Sequence, residues 1–318
     1  MTKSDISKIS IVILSYNRVE ELRRSLNELC SLTENPEYQL VIVDNFSSDG
    51  SQELLKGYHK RYPDMVCVYN TDNLGVSGGR NSGYRLATGE LILNLDEDTH
   101  INLNDIQVLK NFLLHSPETG IVSPKVVNEL SGEYQNFYEE GLCEIGNFQG
   151  ACYMFRKNLL TEIGYLDEQC TFGGEELDYS IRARTKGYSV KYFSMATARH
   201  NSPKHDKGGI RRERKLKWIS NYIRIHFKYF PIRNAVLLSA RCVLSFILAG
   251  LYTLDIKFLM QLCPASIKAA KSGRLLHSQV PASVTAYYTN PSTRPDLGNI
   301  PITSKLANRF RKANEKPQ

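Results

Sequence analysis

The chain of 318 residues lacks a long apolar run. In its most hydrophobic region, residues 234–263, the longest charge-free stretch covers 13 residues, 242–254, bounded by Arg241 and Asp255. A spanning helix needs about 20 residues, so no transmembrane segment is expected. The opening "MTKSDISKIS" has no apolar core of signal-peptide length, and export is not expected either. Seven cysteines stand singly at 30, 67, 143, 152, 170, 242 and 263, with no C-x-x-C pair. That pattern excludes a disulfide framework or a cysteine zinc site and fits a reducing cytosol. Two nucleotide cradles are also missing. The turn after the first apolar run reads "SYNRVEEL", without the glycines of a dinucleotide G-x-G-x-x-G, and G-x-x-x-x-G-K-[ST] occurs nowhere.

What is present is a composition of 42% hydrophobic and 23% charged residues, ordinary for a globular chain able to bury a sizeable core. The net charge of +7 is concentrated in "KGGIRRERKLKW" (207–218) and "NRFRKANEKPQ" (308–318). Such runs serve an anionic membrane surface or ligand, or are solvated faces. Apolar runs at 9–14, 39–44, 65–70 and 90–96 alternate with helical patterns, the first carrying Val19, Leu22, Leu26 and Leu29 at spacings of three and four. Asp49 with Gln52, and Asn104 with Gln107, read as helix-opening caps. The alternation predicts an α/β fold with βαβ units, a mostly parallel Rossmann-like sheet and helices on both faces. Ligands of such sheets bind outside the carboxyl ends of the strands. There the chain places "SYN" (15–17), "DNFSSDG" (44–50), "NTDNLG" (70–75) and "DED" (96–98). The i, i+2 spacing puts Asp96 and Asp98 on one face of an extended segment. Two hard oxygen donors suit Mg2+ or Mn2+ shared with phosphate oxygens. The glycine-rich stretch before them reads as a flexible polar loop.

Residues 9–200 resemble the family 2 glycosyltransferases of the GT-A fold. The resemblance rests on "ISIVILSYNR", "VIVDNFSSDGS", "NLGVSGGRNSGYRLATGE", "LNLDEDT", "GACYMFRKNLLTEIGYLDE" and "FGGEELDYSIRARTKGYSVKY" in that order. It implies a catalytic domain over 1–205, with a nucleotide-sugar half (1–100) and an acceptor half (101–205). A helical C-terminal extension (206–280) and an extended or disordered tail (281–318) would follow. Ser15 and Asn17 would line the base pocket, and Asp44 would accept the imide N–H of uracil or thymine, hence a UDP- or dTDP-sugar donor. Asn73, Gly75, Gly79, Arg80 and Asn81 would form the loop closing on donor phosphates and sugar. Asp98 would ligate the Mn2+ or Mg2+, Asp96 would reach the ribose or the metal, and His200 would complete the site, with His205 as its competitor.

In "GGEELDYSIRAR" (173–184) Glu176 stands where the family carries its catalytic aspartate. Glu176 would be the base, Glu175 is the alternative, and Asp178 would orient the loop or a sugar hydroxyl. Arg182 and Arg184 either face the diphosphate or lie on a surface. The implied reaction is inverting transfer to a hydroxyl of a glycan or lipid-linked acceptor in cell-surface polysaccharide synthesis. The expected location is cytoplasmic, peripheral at the inner face of the membrane. The 234–263 helix would touch that membrane, pack internally or join a homo-oligomer, and no nucleic-acid partner is expected. Two competing readings are a nucleotidyltransferase, which wants a glycine-rich loop after the first strand, and a non-catalytic nucleotide-sugar-binding subunit.

Overall fold

Every residue of the first strand, β1 (Ile9–Ser15), is buried in the computed structural model, which describes residues 8–136, 138, 140–201 and 208–290. A strand reads that way when both faces of its sheet are covered. The chain divides into two compact units, Met1–His205 and Asp206–Gln318. In the first, β1 is followed by α1 (Val19–Leu29), β2 (Tyr38–Asp44), α2 (Ser51–Arg61), β3 (Val66–Tyr69), α3 (Gly75–Tyr84) and β4 (Leu91–Asp96). Next come β5 (Thr99–Ile101), α4 (Leu103–His115), β6 (Thr119–Asn128), β7 (Leu142–Glu144), β8 (Cys152–Arg156), α5 (Leu159–Glu162), α6 (Glu175–Thr185) and β9 (Ser189–His200). One sheet runs β3-β2-β1-β4-β8-β6-β9-β5, with β7 paired to β9.

The strands β3, β2, β1 and β4 are parallel, as the alternating pattern predicts. Beyond them the sheet is mixed: β8 runs antiparallel to β4 and β6, while β6 and β9 are parallel. Period-two alternation sorts the two cores. Ile9, Ile11 and Ile13 meet Leu22 and Leu26 of α1 and Ile106 and Leu109 of α4 on one face. Val12, Val41, Tyr84, Phe155 and Tyr179 fill the other. Register levels the strand ends, since Ser15 pairs with Asp44 and Leu14 with Asp96.

The glycine-rich stretch is not a flexible loop: residues 75–84 form α3. The cause is close packing. A Cβ at Gly79 would lie 2.5 Å from a Leu14 methyl, and one at Gly83 would lie 2.5 Å from Val12 and 2.9 Å from Val43. Glycine costs a helix about 1 kcal/mol relative to alanine, but here its missing side chain lets α3 lie on β1 and β2. The caps also differ from expectation. Gly50, at φ 95°, stands directly before α2; Asp49 still accepts the N–H of Ser51, the first residue of that helix, at 3.1 Å and also the Val19 N–H at 2.8 Å, but Gln52 turns away to Asp44 at 2.8 Å. Asn102, not Asn104, caps α4 by accepting the Asp105 N–H at 2.8 Å.

The second unit comprises α7 (Gly208–Tyr229), α8 (Ile232–Tyr252), α9 (Ile256–Leu275) and α10 (Ala282–Thr289). Ile219 and Ile223 of α7 pack with Phe258 and Leu262 of α9, and Trp218 stacks on Tyr222 at 3.9 Å. The tryptophan is a packing residue. The 234–263 segment is not one helix: Leu254 turns at φ 51°, and Asp255 caps α9 by accepting the Phe258 N–H at 3.1 Å. The expected extended tail is likewise corrected over residues 282–289, which are helical, with Tyr288 fully buried. The basic segment 308–318 and His205 lie outside the described residues. No helix among the described residues is long and apolar enough to cross a membrane.

Two alanine substitutions separate the roles of glycine. Gly83→Ala is expected to destabilise by about 1–3 kcal/mol through overpacking. Gly57→Ala in α2, where an added Cβ meets nothing within 4 Å, is expected to stabilise by about 0.5–1 kcal/mol. Urea unfolding of the two variants checks the signs, and equal effects would contradict the packing role of α3.

Candidate functional site

At the levelled strand ends two buried oxygens have no hydrogen-bond partner among the described residues. Asp44 is fully buried; its Oδ2 accepts the Ser47 N–H at 3.1 Å and Gln52 Nε2 at 2.8 Å, while its Oδ1 accepts nothing. The hydroxyl of Ser15, opposite it in register, is also unpaired. Leaving such groups buried and unmet costs about 1–3 kcal/mol each, so the pair is a place where a ligand's polar groups would be stabilised. Asn17 sits beside them in the left-handed region at φ 52°, which asparagine tolerates. Its side-chain oxygen accepts the Ser48 N–H at 2.8 Å and its backbone N–H donates to Ser47 Oγ at 3.0 Å. It ties the loop after β1 to the loop after β2.

The strand β4 delivers Asp96, and the turn into β5 delivers Asp98. Pairing of β5 with β9 sets Thr99 opposite His200. Ligand atoms of Asp96, Asp98 and His200 thereby lie within 4.8 Å of one another. His200 Nε2 is 3.0 Å from Asp98 Oδ1, and its Nδ1 is 2.8 Å from Gln135 Oε1. A carbonyl oxygen only accepts, so Nδ1 carries a proton and Nε2 is the atom turned to the carboxylates. Metal-binding imidazoles are oriented in this way. Burial alone would lower the His200 pKa, but the hydrogen bond and charge of Asp98 outweigh it and raise it. Burial likewise works against the Asp98 carboxylate, and His200 and Arg18 together hold its pKa below the usual range.

Each carboxylate of the pair also faces an arginine. Arg18 Nη1 contacts Asp98 Oδ2, and Arg80 Nη2 lies 2.7 Å from Asp96 Oδ1. Two carboxylates and one oriented imidazole are a donor set for Mn2+ or Mg2+, and in its chemistry the trio fits such an ion.

Arg80 is 2% exposed. Its Nη1 reaches Glu175 at 3.1 Å, its Nη2 also donates to the Gly150 carbonyl at 2.9 Å, and the guanidinium lies 5.8 Å from the Tyr153 ring centre. It is a buried junction between α3, β4 and α6 rather than part of a mobile loop. Asn81 is buried too, donating to the Leu166 carbonyl at 2.9 Å and accepting its N–H at 3.0 Å. Gly79 is packed on Leu14 and Asn45. Asn73 and Gly75 stand at the entrance to α3, where Asn73 Oδ1 accepts the Gly75 N–H at 2.9 Å. Gly75, at φ 70°, has no room for a side chain beside Thr171. The five residues expected in one closing loop are therefore divided between a helix entrance and a buried helix.

Gly173 and Gly174, both with positive φ, turn the chain into α6, which opens with Glu175 and Glu176. Glu175 is 3% exposed, with Oε1 on Arg80 and Oε2 unpaired. Burial and the neighbouring Glu176 push its pKa up to about 8. Glu176 lies over Gly150, where a Cβ would come within 2.5 Å of Oε1. Burial raises the Glu176 pKa as well, with Arg80 acting against it. Asp178, fully buried, pairs with Arg182 at 2.7 Å, and Arg182 donates to the carbonyls of Ile163 and Tyr165. Arg184 pairs with Glu144 at 2.6 Å and donates to the Ile145 carbonyl at 2.7 Å. Asp178, Arg182 and Arg184 thus fasten neighbouring turns. Sequence reasoning missed Arg18 and Gln135; the latter meets His200 across 65 positions, a distance over which no local pattern signals a contact.

Removing Arg80 takes the buried hydrogen-bonding cation away from both Asp96 and Glu175. Arg80→Leu is expected to cost about 3–5 kcal/mol of stability, and Arg80→Leu/Glu175→Leu to recover much of it. A double-mutant cycle by urea unfolding checks this; additive losses would contradict the coupling.

The family model for "Glycosyl transferase family 2" matches residues 10–174. The low-salt glycan biosynthesis hexosyltransferase Agl10 of Haloferax volcanii is 26% identical over 222 residues, 62% of this chain and 68% of that protein. Poly-beta-1,6-N-acetyl-D-glucosamine synthase of Staphylococcus aureus is 24% identical over 230 residues, 67% of this chain. The chain matches only 54% of that relative's length. Among solved structures, S. aureus TarS 1–349 superposes with a TM-score of 0.58 at 16% identity, covering 96% of this chain and 92% of that one. The mannosyltransferase PcManGT from Pyrobaculum calidifontis, in complex with GDP-Man and Mn2+, gives 0.57 at 17% identity over 84% and 87%. GalNAc-T7 with UDP, GalNAc and Mn2+ gives 0.56 at 16% identity over 72% and 49%. These structures share the fold, and the match over more than half of the sequence identifies the chain as a member of glycosyl transferase family 2.

Proposed function

We propose that the chain is a metal-dependent inverting transferase that moves a sugar from a UDP- or dTDP-sugar to a hydroxyl of a glycan or lipid-linked acceptor, in cell-surface polysaccharide synthesis. The observation that carries this reading is the link through Arg80, which joins a three-donor cation site to a pair of carboxyl groups with raised pKa values. Asp96, Asp98 and His200 would hold the Mn2+ or Mg2+, whose charge, when bound, stabilises the departing diphosphate. Asp44 Oδ1 would accept the imide N–H of the base, with Ser15 beside it. Asn73 and Gly75 would approach the donor from the entrance of α3.

Glu176 would take the proton of the acceptor hydroxyl onto its carboxylate. As that proton leaves, the acceptor oxygen bonds the anomeric carbon from the face opposite the diphosphate. The sugar–diphosphate bond breaks, its electron pair leaves with the nucleoside diphosphate, and configuration inverts. Glu175, held on Arg80, would remain a buried partner of Glu176. Support for metal and nucleotide comes from the neighbours seen with GDP-Man and Mn2+ and with UDP and Mn2+. Support for glycan building comes from the hexosyltransferase and synthase relatives. Uracil and thymine offer an imide N–H and guanine a ring amide N–H, all of which a carboxylate oxygen can accept, and the base is therefore decided by assay.

Nucleotide release from a panel of UDP-, dTDP- and GDP-sugars with Mn2+ tests the reading without knowledge of the acceptor. Glu176→Gln is expected to lower the rate by about 100-fold or more while leaving nucleotide affinity unchanged. A base works deprotonated, and a raised pKa delays deprotonation. Activity should therefore fall with decreasing pH in a limb lying above the ordinary glutamate value of 4.5. Full turnover by Glu176→Gln would remove it from the mechanism, and loss confined to Glu175→Gln would transfer the role to that residue.

A further inference from the structure

The two units carry opposite charge. Residues 1–205 hold 20 Lys and Arg against 28 Asp and Glu, whereas residues 206–318 hold 20 against five. Within 208–290 the acids are Glu213 and Asp255 alone, against 13 Lys and Arg. Both acids are engaged inside the unit, Glu213 with Lys217 at 2.8 Å and Asp255 with Arg212 at 3.0 Å. Residues 208–290 therefore carry a strong net positive charge, 13 basic side chains against two acidic ones.

That unit also leaves an apolar surface in water. Leu244, Leu248 and Leu251, spaced by four and three, share one face of α8 and are all more than half exposed. The surface continues around the turn through Leu254, Ile256 and Met260, which are 82%, 68% and 73% exposed. Arg241, three positions before Leu244, and Lys257, next to Ile256, are both exposed. Six neighbouring apolar side chains at a helix hairpin are more than scattered surface leucines. Because neither helix is long and apolar enough to cross a bilayer, the pattern is that of an element lying in the plane of a membrane interface.

We propose that the α8–α9 hairpin docks on an anionic lipid surface, its leucine tip entering the acyl boundary and its Lys and Arg side chains meeting lipid phosphates. Charge decides between this occupant and a second copy joined by the same face: a two-fold contact would bring two strongly basic units together, while anionic headgroups neutralise one. The inference stands whether or not the first unit transfers sugar.

Sedimentation of the full chain with sucrose-loaded vesicles tests it. Vesicles of 30% phosphatidylglycerol in phosphatidylcholine are expected to bind at least tenfold more protein than pure phosphatidylcholine, with binding reduced in 0.5 M NaCl. Leu254→Asp/Ile256→Asp should lose at least tenfold of that binding with circular dichroism unchanged, since both side chains are exposed. Arg241→Gln/Lys257→Gln should reduce binding to the anionic vesicles only. Equal binding by wild type and Leu254→Asp/Ile256→Asp would overturn the proposal, as would absence of binding to the anionic vesicles. A wild-type dimer in analytical ultracentrifugation that Leu254→Asp/Ile256→Asp abolishes, without vesicle binding, would assign the face to a second copy instead.

Discussion

A guanidinium with almost no access to water must be met by opposite charge, and in this chain that requirement is placed on Arg80. Its partners come from three places: Asp96 at the end of β4, Glu175 at the start of α6, and the carbonyl of Gly150. The side chain thereby fixes how the acidic strand end and the acidic helix start face each other. It can do so because α3 lies directly on β1 and β2, an approach that a side chain at Gly79 or Gly83 would block. The packing of a glycine-bearing helix and the position of two carboxyl pairs are one constraint.

Around that junction the polar groups divide into those satisfied by the chain and those left open. Asn17, Asn81, Asp178, Arg182 and Arg184 are bonded to backbone or to opposite charge, and they hold loops. Asp44 Oδ1, Ser15 Oγ and Glu175 Oε2 are buried without partners. Asp98 has partners, yet they are two cations, Arg18 and His200. Arg18 and His200 thus supply the positive charge at Asp98 that a divalent ion would supply.

The parallel half of the sheet was legible because buried strands are continuous apolar runs; the acidic cluster was legible as a strand end, but not through the strand period, since Asp96 closes β4 while Asp98 lies in the turn into β5. The α3 helix was not, since five glycines in "GVSGGRNSGY" and its flanks mark a loop by local propensity, and only the neighbours Leu14, Val12 and Val43 reverse that. The antiparallel strands lay beyond the alternation argument, which sees sequential βαβ units and not the return of β8 between β4 and β6. The break at Leu254 and Asp255 was visible as a charge but not as a helix boundary, because its cap forms only once the chain has turned. Gln135 carried no local signal, and its contact with His200 exists only through the pairing of distant segments.

Asp96, Asp98 and His200 are proposed to hold a divalent cation, with Gln135 orienting the imidazole from behind. Calorimetric titration of Mn2+ into wild type, Asp98→Ala and Gln135→Leu tests it most directly. One ion per chain is predicted for wild type, with a loss of at least tenfold in affinity for Asp98→Ala. Gln135→Leu, which removes the acceptor behind the imidazole, is predicted to weaken binding by about 10–100-fold. Equal Mn2+ affinity in all three proteins would contradict the site.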